Sequence, residues 1–78
     1  MDDEFAKFQS EVTAAVDEAL RHLPPRLVHE SRAAIAEYVL QSLKNRRLSA
    51  TRDRVTGDVL VDFNGEMGVL AFRVGENQ

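Results

Sequence analysis

Two histidines, four serines, a pair of strand aspartates and a run of arginines are the residues in this 78-residue chain whose types could do chemistry. His22 and His29 flank Pro24-Pro25. A zinc site needs a complete set of nitrogen, sulfur or carboxylate ligands at definite spacing. The chain has no cysteine, and no third ligand stands at such a spacing from the two histidines. They read as solvent-facing or capping side chains near a helix junction, and no metal or cofactor is expected.

A nucleophilic serine is recognised by a Gly-x-Ser-x-Gly elbow or by a linked base and acid. Ser10, Ser31, Ser42 and Ser49 show neither, and the first three fall inside expected helices. Asp58 and Asp62 lie on one strand face, but four residues of strand rise hold them well over ~10 Å apart. That is too far to share a proton. Gly57, Gly65, Gly68 and Gly75 are scattered and form no phosphate-cradling loop. No catalytic residue is expected, so the chain reads as a non-enzyme.

The arginines carry the sharpest local signal. Lys44, Arg46, Arg47, Arg52 and Arg54 place five positive charges in eleven residues. Such a strip could neutralise phosphates and bind nucleic acid with a salt-dependent affinity. No aromatic residue interleaves it for base stacking. Two long helices joined by Pro-Pro also lack the short recognition helix of a helix-turn-helix reader. The net charge is −3, made of −5 over residues 1–20, +5 over 21–54 and −3 over 55–78. Oppositely charged neighbours can therefore complement each other inside the fold, or the basic strip can face an anionic partner.

The elements that position these residues follow from periodicity. Phe5, Phe8, Val12, Ala15, Val16, Ala19, Leu20 and Leu23 recur at three- and four-residue steps, which predicts a helix over about 3–23. Asp2, Asp3 and Glu4 suit its positive dipole end. The acidic polar face has the wrong sign for an anionic membrane surface. Pro24-Pro25 ends it, because proline has no N–H to give and disfavours helical geometry in the residue before it. A second helix is expected over about 25–46, apolar over a wide arc, with the short link making an antiparallel αα-hairpin.

Residues 48–53 could form a first strand. Strands are expected over about 58–63 and 67–74, joined at Asn64-Gly65, whose residue types suit the positive φ of a two-residue type I′ turn. That register puts Leu60 opposite Val69. One face then holds Val59, Val61, Phe63, Leu70, Phe72 and Val74; the other holds Asp58, Leu60, Asp62, Met67, Val69, Ala71 and Arg73. The fold class is α+β: residues 1–78 form one domain in which an αα-hairpin packs on a β-hairpin or three-stranded meander.

A sheet in a small protein usually has one apolar and one wet face. Here both faces carry apolar residues, which predicts a partner on the second through Leu60, Met67, Val69 and Ala71. A chain of this length buries only about 60–65% of its unfolded surface and gains from association. No apolar run reaches the ~18 residues of a membrane span, and the acidic start opposes a signal peptide. The expectation is a small cytoplasmic interaction or regulatory protein (adaptor, inhibitor or antitoxin-like), acting as a homodimer or bound to another protein. The alternative is a nucleic-acid-binding regulator using residues 44–54. Strand edge and sheet face remain equal routes to a dimer at this stage.

Overall fold

A computed structural model describes residues 3–65 and 67–74, Met67 through its backbone. It contains α1 (Asp3–Arg21), α2 (Pro25–Val28), α3 (Arg32–Asn45), β1 (Ala50–Arg52), β2 (Val59–Phe63) and β3 (Met67–Phe72). The strands form an antiparallel sheet in the order β1-β2-β3. Helices α1 and α3 cover one face, α3 over β1 and β2 and α1 over β2 and β3. The α+β class and the three-stranded meander follow the sequence pattern.

The core forms where the stripe of α1 meets α3 and the sheet. Val12, Ala15 and Val16 of α1 pack with Ala36, Val39 and Leu43 of α3 and with Val59, Val61 and Phe72. Val39, Leu43, Val59 and Val61 are fully enclosed. At the hairpin end, Phe5 and Phe8 close on Phe63, with ring centroids 5.2 and 4.9 Å away. Glu18 of α1 reaches Arg46 just beyond α3, and the Tyr38 hydroxyl donates to the His22 carbonyl, so α1 and α3 run in opposite directions.

The expected second helix is two helices. It stops at Val28 and restarts at Arg32. Ser31 adopts an extended backbone, and its hydroxyl accepts from the Ala34 N–H at 3.2 Å. Serine competes for local backbone groups and caps a helix better than it continues one. At the other end, Arg47 takes φ +67°. Its N–H bonds the Lys44 carbonyl, and the Leu48 N–H bonds the Leu43 carbonyl. This is a Schellman closure with an arginine in the place glycine usually fills. It drops Leu48 back onto the core and starts β1 two residues later.

The hairpin register also differs from the expectation. The first pair is Phe63↔Met67, so three residues, 64–66, separate the strands instead of two. Asn64 and Gly65 do take positive φ, 59° and 74°; Glu66 lies outside the described residues. Leu60 therefore stands opposite Leu70, and Val61 opposite Val69. A one-residue slip turns a strand over, because side chains alternate with a period of two. The register then shifts between Val59 and Leu60, leaving Ala71 as the extra residue before Val59↔Phe72. The bulge returns Phe72 to the core beside Ala71.

Candidate functional site: the outer sheet face and the β3 edge

The corrected register rebuilds the expected partner surface. Of Leu60, Met67, Val69 and Ala71, only Leu60 is placed on the face away from the helices. Val69 shares the face of the enclosed Val61, and Ala71 packs on the core. Met67 pairs with Phe63, and its side chain lies outside the described residues. Leu70, assigned by the sequence to the helix side, is instead 47% exposed beside Leu60.

The outer face carries one apolar row. Thr51 pairs with Leu60 and Leu60 with Leu70, so the three stand side by side across the three strands. The neighbouring pair is Asp62 and Gly68. Gly68 leaves a gap into which Leu60 leans: its Cδ1 lies 3.6 Å from the point a Cβ on residue 68 would occupy. The outer surface is a narrow leucine ridge over a glycine floor with a carboxylate at one side.

The lateral edge of β3 adjoins this ridge. β3 pairs only with β2 among the described residues. From Met67 to Phe72 it carries no charge and no proline, two of the devices that blunt an open edge. Beyond Phe72 the chain is fastened. The Arg32 guanidinium donates to the Arg73 carbonyl through Nε at 3.0 Å and through Nη2, and stacks over the Phe72 ring at 4.6 Å. The Asp58 carboxylate accepts the Val74 N–H at 2.7 Å. Asp58 thus ties down a strand end. Arg32 and Asp58 carry no sequence signal for these roles, since their partners lie 41 and 16 residues away.

Two cations of the basic segment are engaged within the chain. Arg46 is engaged by Glu18, and Arg52 by Glu37 at 2.6 Å and by the Gly57 carbonyl at 3.0 Å. Both acids belong to the helices, so the +5 segment complements its own chain at these two positions. Lys44, Arg47 and Arg54 are exposed. Arg54 projects from a loop built by Asp53, whose carboxylate accepts the Val55 and Thr56 N–H groups.

Ser31 caps α3, and the Ser49 carbonyl accepts from Asp62. Glu18, His22, Tyr38, Ser42 and Arg46 rim a cleft between α1 and α3 floored by Ala15 and Ala19. Its ion pair and its tyrosine hydrogen bond are both made within the chain. Among the described residues no group of three or more His, Cys, Asp or Glu side chains is placed to hold a metal, and no helix is long and apolar enough to cross a membrane. Comparison of the chain with known protein families, curated proteins and solved structures gives no match.

Proposed function

We propose that this chain is a small non-catalytic interaction module, of the adaptor, inhibitor or antitoxin type, which works in the cytoplasm as a homodimer or bound to another protein. One observation carries the reading. A sheet covered by helices on one face presents a leucine ridge on the other, next to a strand edge without charge or proline. Burying the exposed parts of Leu60 and Leu70 is worth about 25 cal/mol per Å² of apolar surface removed from water. Strand edges add directional backbone hydrogen bonds to that non-directional term.

The nucleic-acid reading has weaker support, because carboxylates of the chain already engage two of its five cations. The deciding experiment compares the protein from its native cells with a Leu60→Lys/Leu70→Lys variant. The wild type should elute in an assembly, with itself or with a second protein, and the variant should leave it while keeping its helical circular dichroism. Elution of the wild type at its own 8.8 kDa, with nothing bound, defeats the proposal. Salt-sensitive retention on random-sequence duplex would favour the nucleic-acid reading instead.

A further inference from the structure

We infer that the partner is a second copy of this chain, joined antiparallel through β3 about a two-fold axis at Val69 to give a six-stranded sheet. The inference rests on the interaction reading above and adds its occupant and geometry. A two-fold that pairs a strand with its own copy stands perpendicular to the sheet. It keeps each face on its own side, so opposed residues must share a face. Centring on Val69 satisfies this from Met67 to Ala71: Met67 meets Ala71, Gly68 meets Leu70, and Val69 meets Val69. Centring on Leu70 fails after three residues, because the bulge at Ala71 would set core-facing Phe72 against outward Gly68. Centring on Gly68 pairs only residues 67–69 of the strand.

Side-chain shape supports the same register. Leu70 of each copy comes to lie over Gly68 of the other. The space above Gly68 is bordered by Leu60. Two Leu60 and two Leu70 side chains then converge over two glycines, and the exposed ridge of each copy becomes half of a shared cluster. No like charges are opposed, because β3 has none.

The helices fit as well. α1 lies over β2 and β3. With strands about 4.8 Å apart, the two-fold sets α1 and its copy on the order of 10 Å from each other, close to helix-packing distance. The flank of α1 turned toward that copy is the one opposite Glu18 and His22, which face α3. At 3.6 residues per turn it carries Ala6, Gln9, Thr13 and Leu20. Leu20 is 38% exposed, and the other three are exposed as well. Ala6 and Thr13 are small enough to let the helices approach, and Leu20 gains cover.

Gly68→Val separates this geometry from its rivals. A Cβ at residue 68 meets Leu60 at 3.6 and 3.8 Å, ordinary contact, so the strand has room for a Cβ there. In the pair it occupies the seat of the opposing Leu70. Light scattering of the purified chain across the micromolar range should give twice 8.8 kDa for the wild type. Gly68→Val should raise the dissociation constant by about tenfold or more and keep the far-ultraviolet spectrum. Amide exchange along residues 67–71 should be slow in the wild type and fast in the variant. A wild type that is folded and monomeric throughout overturns the inference, and so does a dimer that Gly68→Val leaves intact. In either case, assembly of the native protein with a different chain would leave the interaction reading standing.

Discussion

Replacing Ser31 by alanine reverses sign according to whether the chain has one helix or two after Pro25. Inside a continuous helix the change relieves a residue of middling helix propensity and stabilises by about 0.5 kcal/mol. At the N-cap of α3 it removes the acceptor for the Ala34 N–H, held at 3.2 Å, and costs about 1 kcal/mol. Unfolding entropy near 2.1 cal/mol/K per residue gives about 160 cal/mol/K for 78 residues, so 1 kcal/mol moves Tm by roughly 6 °C. The expected result in a thermal melt followed by circular dichroism is a fall of about that size. Ser31→Asp, which keeps an acceptor, should melt near the wild type. Ser10→Ala, at an exposed position in the middle of α1, should hold or raise Tm and serves as the helix-interior control. A rise in Tm for Ser31→Ala matching that of Ser10→Ala would refute the break between α2 and α3.

Leu43→Ala empties a fully enclosed position where α3 meets the sheet. It should cost about 3 kcal/mol and lower Tm by roughly 15–20 °C, read by the same melt. Arg32→Ala removes both bonds to the Arg73 carbonyl and the stacking on Phe72. It should cost about 1–2 kcal/mol and speed amide exchange at Val74, and Arg32→Lys should restore little, since lysine lacks the planar fork. Glu18→Gln breaks the ion pair with Arg46, whose two side chains are 49% and 43% exposed. Denaturant unfolding should detect less than about 1 kcal/mol, shrinking further in added salt.

What the sequence displayed was local. The stripe from Phe5 to Ala19 has one register that buries it, so α1 was legible to within two residues of its end. Pro24-Pro25 marks a break that covalent geometry enforces. Asn64-Gly65 announces a positive-φ turn, and both residues take it. The second helix misled because Leu27, Val28 and the apolar run from Ala33 bridge a gap that one hydroxyl creates. Ser31 followed three residues later by Ala34 lacks the acidic partner that would have flagged a capping box. The outward apolar face was legible in kind and wrong in membership: Leu60 stayed, Leu70 entered, and Val69 and Ala71 went to the helix side.

The sequence by itself determined that this is an α+β chain with apolar residues on both sides of its β segment. Only the tertiary structure decided which of those residues face outward. The pleat repeats every two residues, so one added loop residue inverts β3 and one bulge inverts its end again. It likewise decided which cations are spoken for, because Glu18 and Arg46 stand 28 residues apart and Glu37 and Arg52 fifteen. Contacts over such separations depend on how helices settle on a sheet, which no short window of the chain encodes.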